Sequence, residues 1–160
     1  MIKINVISLG RLKEKYLRDA VEEYSKRISG YAKLSVIELE PEKLADNPSE
    51  SEIEAALKAE GEKIMKKLDS GSFTVAMCIE GKQMTSEELS NLLFEKVNCG
   101  TGVFNFIIGS SFGLHDSVKC SANLKFSFSK MTFPHQLFKV MLLDQIYRAF
   151  KINEGARYHK

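Results

Sequence analysis

Side chains that could remove a proton or bind an anion are concentrated in the C-terminal third of the chain. Lys130 and His135 stand close together in the segment 127–136, Arg148 follows, and residues 157–160 read Arg-Tyr-His-Lys. Histidine titrates near neutral pH and suits general-base work, whereas arginine stays charged and suits the binding of phosphate or another anion. These residue types are compatible with a site of proton transfer or anion binding in this part of the chain.

Segment 127–136 also has a purely structural interpretation. Thr132 is predicted as the N-cap of the final helix, and Pro134 suits the first helical turn, where a missing N–H costs nothing. This interpretation gives no reason for the combination of Ser127, Ser129, Lys130 and His135, although His135 by itself, in the first turn of the helix, is compatible with a core or capping role. For residues 157–160 the structural alternative is an ordinary solvated tail.

A glycine-containing turn, residues 109–114, follows a predicted strand. Gly109 would let the backbone approach a ligand closely, because no side chain intervenes. The turn lacks the full dinucleotide fingerprint and the lysine of a phosphate-binding loop. Taken alone, it is compatible with a site for phosphate or adenosine and equally with a structural turn.

Strand and helix signals alternate along the chain and predict an α/β fold with a largely parallel sheet, formed as a single domain over residues 1–160. In such sheets the ligand lies beyond the carboxyl ends of the strands, which singles out the loops after strands three, four and five. Capping boxes at Ser49 and Thr85 open two of the helices, and a turn is predicted at 80–82. The predicted strands are 2–9, 34–39, 73–79, 103–108 and 123–128, and the predicted helices are 13–29, 49–68, 85–97 and 133–152.

Composition narrows the class of protein. The chain has 160 residues, 44% of them hydrophobic, and a net charge of +2. No apolar run is long enough to span a membrane, and the first residues resemble a strand more than a signal segment, so a cytoplasmic protein is expected. Excess Lys and Arg in the C-terminal third predicts either a phosphate-contacting surface or solvated helix residues.

The three cysteines, Cys78, Cys99 and Cys120, are odd in number and far apart. This spacing argues against a disulfide framework and a zinc site, and it favours buried, reduced thiols. The acidic residues and histidines show no ligand cluster either, so no metal is predicted.

Several motifs taken together resemble the ribosomal RNA large subunit methyltransferase H family. The resemblance covers essentially the whole chain, and its most specific parts are the stretch 131–136 and the ending Tyr158-His159-Lys160. The other matching segments are 10–14, 79–82, 109–114, 127–130 and 145–150.

The resemblance implies a SPOUT fold whose C-terminal part threads a trefoil knot, a feature too rare to expect from patterning. It also implies a homodimer with S-adenosylmethionine held by the knot loops. The implied reaction is methylation at N3 of a pseudouridine in 23S ribosomal RNA, on the assembled ribosome.

Roles carried over from the family are expectations for this chain. The cofactor-binding residues would be Met77, Gly109, Phe128, Ser129, Lys130, Met131, Thr132 and Phe133. The catalytic candidates are His159, Tyr158, Arg148 and His135. Ser110 departs from the family, which usually has glycine at that position, so its role is left open.

Two rival functions are compatible with parts of the sequence. A noncatalytic ribosome-binding or assembly module could retain the cofactor site and the basic surface without transferring a methyl group. A flavodoxin-like nucleotide binder would leave the C-terminal motifs unexplained. Methyl transfer from labelled S-adenosylmethionine to ribosomes discriminates the first rival, and flavin or nucleotide affinity discriminates the second.

Overall fold

The computed structural model describes residues 1–156 and Tyr158, and within them five strands alternate strictly with five helices. Their bounds, in chain order, are β1 Ile2–Leu9, α1 Lys15–Ile28, β2 Ala32–Leu39, α2 Glu50–Met65, β3 Phe73–Gln83, α3 Ser86–Asn98, β4 Val103–Ile108, α4 Asp116–Ser121, β5 Leu124–Ser127 and α5 His135–Asn153.

The five strands form one sheet in the order β2-β1-β4-β3-β5, and every neighbouring pair is parallel. Parallel neighbours need crossover connections, and here helices make them, which confirms the predicted α/β class. The carboxyl ends of all strands consequently meet at one edge of the sheet.

Both faces of the sheet are covered by helices. Along β1, Ile4 and Val6 face the core shared with α1, α3 and α5, whereas Ile7 and Leu9 face the smaller core shared with α2 and α4. A strand buried on both faces is enriched in apolar residues, and five of the eight residues of β1 are apolar.

A buried amide pair interrupts the apolar layer between the two central strands. Asn5 on β1 and Asn105 on β4 occupy the same register position, and the Asn5 amide donates to Asn105 Oδ1 at 2.8 Å. Asn105 donates in turn to Ser72 Oγ at 2.7 Å, and Asn5 also donates to Asp69 at 3.0 Å. Both amide nitrogens and the Asn105 oxygen therefore have partners inside the fold, as burial requires.

The two predicted capping boxes are confirmed. Ser49 and Thr85 are the N-caps of α2 and α3, and each accepts from the backbone N–H three residues later. The carboxylates of Glu52 and Glu88 in turn accept a hydrogen bond from the backbone N–H of the N-cap residue, at 2.7 Å in both helices. Each box satisfies two backbone donors that the helix itself leaves free.

The predicted cap of the last helix is wrong. α5 begins at His135, and its N-cap position is Pro134, which makes no side-chain capping bond. The hydroxyls before it organise the loop instead. Ser127 Oγ donates to the carbonyl of Ser129, and Ser129 Oγ accepts from Met131 N at 3.0 Å. Thr132 lies within this loop, too far upstream to cap the helix.

The predicted turn at 80–82 is also wrong, because β3 continues through it to Gln83. The pairing with β5 shifts between Met77 and Lys82, so that both residues pair with Phe126. A Cβ on Gly81 would lie only 2.5 Å from the backbone nitrogen of Phe126. The glycine thus permits a close approach of two strands at the bulge and does not mark the end of a strand.

The short helix α4 was not predicted. His115 is its N-cap, and the imidazole Nδ1 accepts from Ser117 N at 3.2 Å. Histidine is not among the usual capping residues, so the start carried no clear signal. The acid in its first turn, Asp116, and the base in its last turn, Lys119, are the weak signals that the sequence carries.

Two further expectations can be compared with the structure. The cysteines are free thiols, but Cys99 and Cys120 are exposed and Cys78 is only partly buried, so the prediction that they are buried is wrong. Among the described residues no helix has the length and apolar character needed to cross a bilayer.

Candidate active site

A cavity of about 510 Å³ lies at the carboxyl ends of β4 and β5 and beside the 77–80 segment of β3. Its walls come from 77–80, 108–114 and 126–135, which include the loops after β4 and β5. The sequence singled out both of these loops; the third, expected after residue 79, is part of β3, and of residues 80–82 only Glu80 lines the cavity. The volume falls within the range of small-molecule sites in proteins.

Seven of the eight predicted cofactor residues line this cavity, and the structure therefore brings them together. Lys130 is the exception: its side chain is exposed and lies outside the cavity lining. The contribution of each residue to cofactor binding stays a prediction. The seven lining residues are Met77, Gly109, Phe128, Ser129, Met131, Thr132 and Phe133.

The glycine turn forms one wall. Gly113 N donates to the carbonyl of Ser110 at 2.9 Å, and Gly113 has a φ of +88°, a conformation that favours glycine. A Cβ on Gly109 would lie 2.3 Å from the carbonyl oxygen of Gly113. Gly109 is thus required by the packing of the turn upon itself, whatever it contributes to a ligand.

Aromatic rings form the opposite wall. Phe128 packs edge-on against Phe126, with ring centroids 5.4 Å apart, and lies 4.7 Å from Phe138. At the rim, Phe112 and Met131 expose 48% and 72% of their surface. An apolar cleft with a few polar groups is the usual form of a site for an organic cofactor.

The cavity is also lined by an ion pair that the sequence did not predict. Lys119 Nζ donates to Glu80 Oε1 at 2.6 Å, and both residues line the cavity. The hydrogen bond from Lys119 lowers the pKa of Glu80, and the same bond raises the pKa of Lys119. Both groups are therefore charged near neutral pH. Glu80 belongs to a motif noted in the sequence, whereas nothing local pointed to Lys119.

His135 is the one described catalytic candidate that lines the cavity. Burial lowers the pKa of its imidazole, and the positive charges of Lys139 and Lys13 lower it further. Lys139 is itself buried and pairs with Glu38 at 2.6 Å. The imidazole is therefore neutral near pH 7 and has a ring nitrogen able to accept a proton.

Arg148 and Tyr158 lie elsewhere, around the carboxylate of Asp144. Arg148 Nη2 donates to Asp144 Oδ2 at 3.1 Å, and Tyr158 Oη donates to Oδ1 at 3.1 Å. Tyr24 Oη donates to the same Oδ1 at 3.0 Å. Burial and the Asp144 carboxylate raise the pKa of Tyr24, so this phenol stays protonated.

Asp144 and Tyr24 line a second cavity, of about 540 Å³. It shares Phe126, Phe128 and Phe133 with the first, so these aromatic residues separate the two cavities. Within one chain the catalytic candidates consequently fall into two groups, His135 in one and Arg148 with Tyr158 in the other. His159, also a candidate, lies outside the described residues.

Residues 1–156 and Tyr158 include no group of three or more His, Cys, Asp and Glu side chains placed to hold a metal ion. The polar groups at the first cavity are instead the Glu80–Lys119 ion pair, a neutral imidazole, hydroxyls and backbone groups. Such a set suits hydrogen bonding to an organic ligand.

Comparison with known proteins adds independent findings. The family model described as "Predicted SPOUT methyltransferase" matches residues 2–159. Relatives from Clostridium beijerinckii and Streptococcus pneumoniae strain CGSP14 are 51% and 50% identical over 159 residues, which is 99% of this chain and 100% of each relative. Both are named "Ribosomal RNA large subunit methyltransferase H". A probable methylase family protein from Haemophilus influenzae Rd KW20 shares the fold with a TM-score of 0.52 at 15% identity, over 99% of this chain and 70% of that one.

Proposed function

Because this chain belongs to the SPOUT methyltransferase family, we propose that it transfers a methyl group from S-adenosylmethionine to N3 of a pseudouridine in 23S ribosomal RNA. The family membership confirms the resemblance seen in the sequence motifs and the methyltransferase class. The names of the relatives support ribosomal RNA as the substrate. The observation that carries the proposal is the convergence of seven predicted cofactor residues on one cavity.

The first cavity fits S-adenosylmethionine in size and chemistry. Gly109 lines the cavity with its backbone, and the aromatic wall at Phe128 would offer a surface for the adenine ring. Ser129 and Thr132 would supply hydroxyls for hydrogen bonds to the cofactor. When bound, the cofactor supplies a methyl group activated by a positively charged sulfur, so the protein is left with orientation and proton removal.

Proton removal is assigned first to His135. The N3 imide of a pseudouridine keeps its proton at neutral pH, so a base or a group that stabilises the developing anion is needed. The lowered pKa of His135 leaves its imidazole neutral and ready to accept that proton. Arg148, Tyr158 and His159 are proposed as the polar groups that bind and orient the base.

In a homodimer, the two groups of catalytic candidates would lie at one site. Arg148 and Tyr158 do not line the cavity that holds His135 in the same chain. We propose that they face the first cavity of the other subunit, together with His159. The exposed apolar side chains of Phe112, Met131 and Leu137 favour a face that a second copy covers. The trefoil knot that the family implies belongs to the same proposal.

The assembled ribosome, in the cytoplasm, is the proposed setting. The described residues form one sheet with its helices, which leaves little surface for reading a long RNA sequence. Because one subunit has so little surface for reading a sequence, we propose that two subunits together recognise the shape of the ribosome. The basic C-terminal third suits contacts with phosphates.

The test is methyl transfer from labelled S-adenosylmethionine to purified ribosomes that lack the modification, with free 23S RNA alongside. Label at one pseudouridine, in ribosomes and not in free RNA, is the expected result. His135→Gln should reduce the rate at saturating cofactor while cofactor affinity stays within about twofold. Cofactor binding without label on either substrate would instead favour the noncatalytic ribosome-binding module.

A further inference from the structure

A buried carboxylate stands behind the glycine turn. Glu60 on α2 exposes only 4% of its surface, and it does not line the cofactor cavity. Within the described residues it forms no ion pair; its oxygens accept two hydrogen bonds. Oε1 accepts from the backbone N–H of Glu42 at 3.0 Å, and Oε2 accepts from Ser110 Oγ at 3.1 Å. A carboxylate removed from water depends strongly on such donors, because nothing else replaces its hydration.

The Ser110 side chain is the link between this carboxylate and the cavity. Ser110 is the first residue of the 110–113 turn, which the Gly113 N–H closes onto the Ser110 carbonyl. Gly109 is packed against Gly113 so tightly that the turn can move only as a unit. Holding Ser110 therefore holds the whole wall that this turn forms.

α2 also fixes the other end of the turn. Gly61 packs under α4, where an added Cβ would come within 3.2 Å of Val118 and 3.4 Å of His115. His115 Nε2 further lies 2.9 Å from Glu54 Oε1 on α2. The 110–113 turn thus lies between two anchor points on one helix, the Glu60 carboxylate before it and the α4 contact after it.

We infer that Glu60 is a positioning residue, which holds the 110–113 turn in its cofactor-binding geometry through the Ser110 hydroxyl. The inference rests on the proposed function for the identity of the ligand, S-adenosylmethionine. Since Glu60 reaches the ligand space only through Ser110, its effect falls on cofactor affinity. The rate of methyl transfer at saturating cofactor does not depend on it.

The first arm of the test measures S-adenosylmethionine binding by titration calorimetry and kcat with saturating cofactor. Ser110→Ala should raise the Kd about tenfold, the scale of a lost hydrogen bond to a charged group, with kcat within about twofold. Ser110→Thr keeps the hydroxyl and should retain most of the affinity that Ser110→Ala loses. Ser110→Ala should add nothing to the effect of Glu60→Met, because methionine has no group that accepts the Ser110 hydrogen bond and both changes therefore interrupt one link.

Lys58→Met is the control on the same helix. The Lys58 side chain is exposed and forms no hydrogen bond or ion pair with the described residues, so its loss leaves the contacts of Glu60 with Glu42 and Ser110 in place. Its Kd should stay unchanged. An unchanged Kd in Ser110→Ala, or a fall in kcat alone, would overturn the inference.

The second arm needs no ligand. Hydrogen exchange of the peptide containing Gly113 N–H, in the free protein, should become at least about fivefold faster in Ser110→Ala and stay as in the parent in Ser110→Thr. Equal exchange in all three proteins would refute the positioning role. If exchange responds but the parent protein does not bind S-adenosylmethionine, the proposed function fails while the role of Glu60 stands. Ser110 is only partly buried, so its variants are expected to fold even if Glu60→Met does not.

Discussion

Replacing Gly109 by alanine is expected to lower both stability and affinity for S-adenosylmethionine. The new Cβ would lie 2.3 Å from the carbonyl oxygen and 2.5 Å from the carbonyl carbon of Gly113, and 3.0 Å from Leu114 Cγ. Two of these atoms belong to the backbone, so no side-chain rotation relieves the overlap. The 110–113 turn has to move away from β4.

The size of the movement follows from the distances. Ordinary contacts of a Cβ begin near 3.4 Å, so the Gly113 carbonyl has to retreat by about 1.1 Å. Overpacking of this kind costs about 1–3 kcal/mol. For a chain of this length each kcal/mol lowers the Tm by about 2–4 °C, so a fall of roughly 2–12 °C is expected. A wall displaced by about 1 Å should weaken cofactor binding by about tenfold or more.

Thermal unfolding and titration calorimetry measure the two effects. Gly102→Ala is the control, because Gly102 has an ordinary φ and nothing within 4 Å of an added Cβ. It should match the parent protein in Tm and Kd. If Gly109→Ala also matched the parent in both, the packing argument would be refuted. A lower Tm with an unchanged Kd would show that the 110–113 turn does not contribute to cofactor binding.

Three other predictions concern different parts of the molecule. Gly81→Ala should destabilise by about 1–3 kcal/mol in urea unfolding, because the Cβ would meet the backbone of Phe126 at 2.5 Å; an unchanged midpoint would contradict the close approach at the bulge. The pKa of His135 lies below its ordinary 6.5, so the unfolded chain binds a proton that the folded chain resists, and stability should fall as pH drops below about 6.5. His135→Gln should flatten this fall in stability, and Lys139→Met should raise the pKa of His135 measured by NMR titration. A His135 imidazole that titrates at or above 6.5 would disprove that burial and the lysine charges disfavour its protonation. Thr85→Ala should cost about 1 kcal/mol through the lost cap of α3, as thermal unfolding can check, with Thr85→Ser nearly neutral.

The sequence predicted the helices and strands whose signals are local. The capping boxes at Ser49 and Thr85 and the apolar run of β1 depend on neighbours along the chain, and the structure has all three. Two of the three loops expected to form the site, those after β4 and β5, do meet at one cavity, because the carboxyl ends of parallel strands share an edge.

What the sequence missed depends on contacts between distant segments. In the sequence Gly81 resembles a turn residue. A glycine is needed there because β5 passes close to β3, and this contact exists only in the folded sheet. The contact of Tyr158 with Asp144 depends likewise on the fold, whereas the pairing of Arg148 with Asp144 is local to α5. Residue types could suggest these catalytic candidates, but they could not say which of them share a cavity.

The amide pair between β1 and β4 selects one alignment of the two central strands. Sliding one strand by two residues keeps every side chain on its original face, so the apolar pattern alone does not oppose such a slip. After that slip Asn5 would stand beside Val103 or Ile107, and both amides would lose their mutual hydrogen bond in a buried layer. An unsatisfied buried group costs about 1–3 kcal/mol, so each misaligned form carries a penalty on both strands. The Asn5–Asn105 pair thus disfavours misaligned pairings of β1 and β4 during folding, which the hydrophobic residues alone would permit.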